Sequence, residues 1–255
     1  MKVTIIGAGS IGGAVAFGLK KAGYCDLTVT ARHAETLEKF EKQGISTSLD
    51  NIKAAEGADI VIFAVKPWQM ESVVRETLGR DAANGRIVVS MAPAISPEQL
   101  RRWAPEGESI AIVVPNTAAQ VRESMTFISP VSTSQAQNRI LDKVFGSIGR
   151  VMTVPSDKLG AGVALASCGI AYALRYIRAA SEGGVELGLF ADDSVAVVSQ
   201  TVKGAAAILN SNGTHPEQEI DKVTTPGGMT IKGLNAMEEA GFTNAVIKGL
   251  KACLE

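Results

Sequence analysis

The chain has 255 residues, of which 46% are hydrophobic and 20% charged, with a formal net charge of −1. That length suits one large domain or two, and the near-neutral charge excludes bulk electrostatic attraction to nucleic acid or an anionic membrane surface. Three cysteines, Cys25, Cys168 and Cys253, are far apart and odd in number, so neither a metal site nor a disulfide framework is expected, and a reducing, cytoplasmic compartment is.

The first nineteen residues, MKVTIIGAGSIGGAVAFGL, are apolar enough to imitate a signal peptide. Their glycines and strand–turn–helix pattern argue against one, and no uninterrupted apolar run of ~20 residues follows. KVTIIG predicts a strand, and residues 10–22 a helix ended near Gly23. DLTVTA predicts a second strand, and 34–43 a helix that stops at Gly44. ADIVIFAV is apolar at consecutive positions, as a strand buried on both faces must be. A helix over 69–78 comes next, then strands at RIVVSMA and SIAIVVPN around a helix at 97–103. Strand and helix alternating in this way predict a doubly wound, Rossmann-type α/β sheet over residues 1–154.

After about residue 155 the strand signals stop, and an all-helical domain is expected over 155–255. Residues 156–188 carry a long Ala-rich helical pattern, with Asp157 as N-cap and a break at Gly183 and Gly184. Val195, Val198, Val202, Ala205 and Leu209 fall at helical spacing in the next segment. Two helices near 230–240 and 243–253 close the chain. Helices this rich in Ala, Gly and Val can bury a face against a second subunit, although an internal core explains much of the same pattern. VTTPGGMT, Val223–Thr230, interrupts them with a proline and two adjacent glycines that a helix interior disfavours.

VTIIGAGSIGGA places Gly7, Gly9 and Gly12 as G-x-G-x-x-G between a strand and a helix. Such a turn brings backbone close to a pyrophosphate and aims the unpaired N–H groups of the helix at it, so a dinucleotide site is expected. An acidic residue that would hold an NAD ribose is missing from the end of the second strand, where Thr30, Ala31 and Arg32 stand. Arg32 can pair with a 2′-phosphate, which favours NADP(H) with NAD(H) at lower affinity. The alternative is a solvated Arg32 and an enzyme that accepts both. AVKPW (64–68) and VVPNTAAQV (113–121) break regular structure where parallel strands present their C-terminal ends, so both should border the nicotinamide.

In chain order, GAGSIGGA, VKPWQ, VPNT, LGAGVALASCGIAY, VELGL, SQTVKGAA and HPEQEIDKVTTPGGMTIKGL resemble the 1-pyrroline-5-carboxylate reductases, from Lys2 to about Leu250. The resemblance implies NADPH-dependent reduction of a cyclic imine bearing a carboxylate to proline, the last step of proline biosynthesis. It implies that Thr225, Gly227, Gly228, Met229 and Thr230 hold the substrate, with the Thr230 hydroxyl beside the imine nitrogen as the catalytic group. It implies cofactor contacts from Gly7, Gly9, Ser10, Ile11 and Gly12, from Arg32 and Asn51, from Ala64, Val65, Lys66 and Pro67, and from Asn116. It further implies a homodimer with intertwined helical domains, and larger rings of dimers in some members. His33 and His215 are read as surface or structural residues.

The match departs from the family's pattern around the substrate. The family's G-S-G-P-A-Y is here SCGIAY (167–172), the M-P-N-T-P motif has Val114 and Ala118, and the V-T-S-P-G-G-T-T loop has Thr225 and Met229. Cys168, on an apolar Ala/Gly helix, is read as a small buried residue. A paralogue acting on another cyclic imino acid or imine, or a non-catalytic NADP-binding relative, are the other readings open at this stage.

Overall fold

The computed structural model describes residues 1–79 and 85–254. The chain divides into two compact units, Met1–Ser167 and Cys168–Glu255.

The first unit holds eight strands: β1 (Val3–Ile6), β2 (Leu27–Thr30), β3 (Ser46–Ser48), β4 (Ile60–Phe63), β5 (Ile87–Ser90), β6 (Ser109–Val114), β7 (Ser124–Pro130) and β8 (Gly149–Thr153). Its helices are α1 (Ser10–Lys21), α2 (Glu38–Glu41), α3 (Asn51–Ala55), α4 (Met70–Leu78), α5 (Pro97–Trp103), α6 (Gln135–Gly146) and α7 (Leu159–Gly162). The sheet order is β3-β2-β1-β4-β5-β6-β7-β8, parallel throughout except where β7 meets β6. The doubly wound architecture is therefore as expected, and its strand order reverses between β1 and β4.

Consecutive burial is explained by two cores, one on each face. Ile5, Ile60 and Ile62 pack with Leu19, Phe40 and Phe145 on one side. Ile6, Val61 and Phe63 pack with Met70, Val74 and Leu100 on the other. β4 thus loses water from both faces and is apolar at every position, while buried Thr4 of β1 donates its hydroxyl to the Ala54 carbonyl at 2.8 Å.

The antiparallel β7 was not anticipated. After Val114, Asn116 caps a 3-10 turn at Thr117–Val121, and Arg122 takes a left-handed conformation at φ 65°. This short connection reverses the chain, whereas a parallel neighbour needs a crossover of about a dozen residues or more. The α6 crossover then returns the chain to pair β8 parallel to β7.

One expectation for the following segment fails. Asp157 lies inside a 3-10 turn, Ser156–Lys158, that Pro155 opens, so it caps no helix. Beyond α7 the backbone takes a π-helical path over Val163–Cys168.

The second unit consists of α8 (Gly169–Glu186), α9 (Ala191–Asn212), α10 (Pro216–Lys222), α11 (Met229–Glu239) and α12 (Phe242–Ala252). Gly183 and Gly184 do not break α8. A Cβ on Gly184 would stand 2.7 Å from Ser194 Oγ, so glycine there lets α9 cross closely. Cys168 is half-buried, not fully buried as expected. Within the chain this unit covers little of its apolar surface: Leu187, Phe190 and Met229 are each more than 80% exposed. By length and composition, the stretch Ser156–Glu186 is apolar enough to cross a membrane, and most of it is uncovered in this chain.

Candidate functional site

In the first unit, the C-terminal ends of β1, β2 and β4 are tied together. Gly7 N–H donates to the Thr30 carbonyl at 3.2 Å, and Ala64 N–H donates to the Ile6 carbonyl at 2.9 Å. Gly7 sits at φ +109°, where a Cβ would come within 2.9 Å of the Ala64 carbonyl oxygen. A Cβ on Gly12 would lie 2.1 Å from the Gly7 carbonyl oxygen. Only hydrogen at both positions lets helix, turn and the neighbouring strand end meet this closely.

Gly9 differs, because nothing lies within 4 Å of where its Cβ would be. It is the N-cap of α1, no side chain caps the helix, and no acidic residue occupies the first turn. The first-turn N–H groups, those of Ser10, Ile11 and Gly12 among them, have no partner within the helix, and the positive end of its dipole lies behind them. By contrast α5, α6 and α10 are closed by capping boxes from Ser96, Ser134 and His215. A cradle that a side chain would fill, above an uncapped helix, fits a pyrophosphate.

The flanking residues fall around this cradle. Arg32 is exposed two residues past β2 and has no ion-pair partner among the described residues. Asn51 opens α3, and its Oδ1 accepts from the buried Thr30 hydroxyl at 2.7 Å. That bond leaves the Asn51 amide group to donate. Ala64 and Val65 follow β4, and exposed Lys66 precedes a 3-10 turn at Pro67–Gln69.

Asn116 is buried, and its side chain is committed to the fold. Its Oδ1 accepts from Ala118 N–H at 3.0 Å, and its Nδ2 donates to the Ala166 carbonyl at 3.3 Å. Its own N–H donates to Ser124 Oγ at 3.1 Å, and Ser167 Oγ donates to the Pro115 carbonyl at 3.2 Å. Sequence reading missed Thr30, Ser124 and Ser167 as partners. The serines and the threonine are common residue types, and only the fold reveals that they face these polar groups.

In the second unit, Thr225-Pro226-Gly227-Gly228 forms a β-turn, with Gly228 N–H donating to the Thr225 carbonyl at 3.0 Å. Proline at the second position and Gly227 at φ +72° at the third are the type II pattern. Gly228 is the N-cap of α11, again with no side-chain cap and no acidic residue in the first turn. The Thr225 hydroxyl oxygen lies 2.5 Å from where a Cβ on Gly228 would be, so it rests over the mouth of this helix. Met229 and Thr230 are exposed in its first turn. A hydroxyl beside free helix N–H groups is an arrangement that accepts a carboxylate. His215 caps α10 through Nδ1, a structural role as expected.

Residues 156–255 match the family model described as pyrroline-5-carboxylate reductase dimerisation, and residues 2–94 match one described as NADP oxidoreductase, coenzyme F420-dependent. Pyrroline-5-carboxylate reductase 2 of Dictyostelium discoideum is 34% identical over 97% of this chain and 89% of its own length. Pyrroline-5-carboxylate reductase 1 of the same organism is 36% identical over 97% of this chain, which spans 48% of that relative's length. A solved pyrroline-5-carboxylate reductase from Coxiella burnetii superposes with a TM-score of 0.86 and 29% identity, covering 99% of this chain and 96% of its own.

Proposed function

The chain belongs to the pyrroline-5-carboxylate reductase family, and from that premise we propose that it reduces 1-pyrroline-5-carboxylate to proline with NADPH. The observation that carries the proposal is the uncapped start of α11, with the Thr225 hydroxyl over it and two glycines shaping the turn before it. When bound, NADPH supplies a hydride from C4 of its dihydronicotinamide to the imine carbon.

The residues do the rest by binding and orienting. Gly9 and the N–H groups of Ser10, Ile11 and Gly12 hold the pyrophosphate. Arg32 forks onto the 2′-phosphate, Asn51 donates to the adenosine half, and Ala64 to Pro67 flank the nicotinamide ribose. Asn116 acts through the fold, fixing the turn after β6. Thr225 and the N–H groups of Met229 and Thr230 hold the substrate carboxylate, while the Gly228 N–H stays in the turn that shapes the site. The Thr230 hydroxyl donates a hydrogen bond at the imine nitrogen. A threonine is a weak acid, so orienting the two reactants contributes more than proton transfer. Met229 presents a thioether beside the carboxylate and narrows the space for the ring.

The nucleotide-binding domain is taken as 1–154 and the helical domain as 155–255. We read the uncovered apolar faces of the helices as contacts between two copies whose helical domains intertwine, each active site drawing its loop from the partner. A larger ring of dimers is compatible with this. Three free cysteines support a cytoplasmic setting.

The test is NADPH consumption by the pure protein with 1-pyrroline-5-carboxylate, beside NADH and a six-membered cyclic imino acid. The reading expects fast oxidation of NADPH that is selective for the five-membered ring. Tight NADPH binding without turnover of either ring would refute it.

A further inference from the structure

Three side chains of the helical unit meet at a place for which the proposed reaction has no use. Cys168 immediately precedes α8, and Tyr172 lies one helical turn later, so both belong to one face. The Tyr172 hydroxyl donates to the Gly249 carbonyl at 3.0 Å, and the Cys253 thiol donates to the Leu250 carbonyl at 3.0 Å. These bonds bring the last turn of α12 against that face. Gly249 and Cys253 are themselves one turn apart, so Cys253 faces Cys168 as Gly249 faces Tyr172, and its side chain pushes the Tyr172 hydroxyl up from its ordinary pKa. Both thiols are free, and both are partly exposed. Cys168 is the first residue of the unit and Cys253 stands one residue past α12, so a bond between them closes nearly the whole unit into one loop.

We propose that Cys168 and Cys253 are a dithiol pair that a low-molecular-weight disulfide oxidises to an intrachain disulfide, tying the end of α12 to the start of α8. The Cys253 thiolate attacks one sulfur of the reagent, forming a mixed disulfide and releasing one thiolate. The Cys168 thiolate then attacks Cys253 Sγ and displaces the second. The protein gives up two protons and two electrons, and the reagent's disulfide becomes two thiols.

Cys253 reacts first because it lies beyond the helix. There the backbone can shift to bring the two sulfur atoms to the bonded distance of about 2 Å. Burial, and after it the neighbouring Cys253 side chain, push the Cys168 thiol up from its ordinary pKa. It therefore stays protonated in the resting pair and serves as the resolving group. In a reducing compartment the pair rests as the dithiol, and it closes when the thiol pool turns oxidising.

The experiment treats the full-length reduced protein with oxidised glutathione, blocks remaining thiols and digests it with trypsin without reductant. The expected product joins peptide 159–175 to peptide 252–255. The oxidised chain should migrate as a single chain on a non-reducing gel, with a raised Tm that dithiothreitol reverses. The cross-link should be lost in C168S, which installs the serine of the family pattern, and in C253S, and kept in C25S. Absence of the cross-linked peptide from the wild-type protein overturns the proposal. So does glutathione retained on Cys25 or Cys253 without closure, or a disulfide joining two chains.

Discussion

The Gly7 carbonyl oxygen lies 2.1 Å from where a Cβ on Gly12 would stand, while nothing lies within 4 Å of the same point on Gly9. Two glycines of one motif therefore serve different ends, one packing and the other access. Gly12→Ala should lower Tm as well as NADPH affinity, because the helix must move off the turn. Gly9→Ala should leave Tm within about 1 °C, since surface substitutions away from special features cost within ~0.5 kcal/mol. Its NADPH affinity should nonetheless fall at least about tenfold, or ~1.4 kcal/mol. Fluorescence titration beside thermal melts checks the pair, and equal Tm losses in the two variants would contradict the division of roles.

Arg32 stands exposed beyond β2 with no ion-pair partner among the described residues. Its removal should therefore cost the fold almost nothing and the cofactor's 2′-phosphate a charge-assisted fork of about 1.5–3 kcal/mol. Arg32→Ala should raise the KM for NADPH about 10- to 100-fold and change that for NADH less than about twofold. Equal losses for the two cofactors would defeat the 2′-phosphate reading.

The turn before α11 separates binding from turnover. Gly228→Ala puts a methyl group 2.5 Å from the Thr225 hydroxyl and should displace it, raising the KM for the imine while NADPH binding stays unchanged. Thr225→Ser should keep the hydroxyl and most of the affinity, whereas Thr225→Ala should lose about tenfold, the worth of one hydrogen bond to a charged group. Thr230→Ala should reduce kcat by more than it reduces NADPH affinity. Steady-state kinetics on the four variants settles these points, and unchanged turnover in Thr230→Ala would remove that residue from the mechanism.

Much of this was readable from residue order, for physical reasons. IVIFAV, short, apolar at consecutive positions and set between helical patterns, reads as a strand buried on both faces, and Ile60–Phe63 form it, while glycines at 7, 9 and 12 between a strand and a helix mark a tight turn. Contacts between distant residues were not readable. The bond from Thr30 to Asn51 and the commitment of Asn116 to Ala118 and Ala166 depend on which elements the sheet brings together. Gly184 looked like a helix break because a glycine in a helical pattern has two meanings, and only the position of Ser194 shows that close packing is the one that applies. The reversal at Asn116 and Arg122 was hidden for a related reason, since a non-glycine residue at positive φ leaves no compositional mark.

At the N-terminal ends of β5 and β6, Arg86 Nε donates to Glu108 Oε1 at 2.7 Å, and the two side chains are 8% and 0% exposed. Glu108 Oε2 has no partner among the described residues. A buried pair of this kind offsets most of its own desolvation cost and adds little net stability, but a lone buried carboxylate is expensive. Arg86→Leu should therefore destabilise the first unit by about 3–5 kcal/mol, with Glu108→Leu costing less because a long arginine side chain at a strand end can reach water. The double variant Arg86→Leu/Glu108→Leu should recover most of the loss. Urea denaturation of the three variants gives the coupling energy directly. Additive losses in the double variant would mean that the two side chains stabilise the strand ends independently, through packing and not through each other.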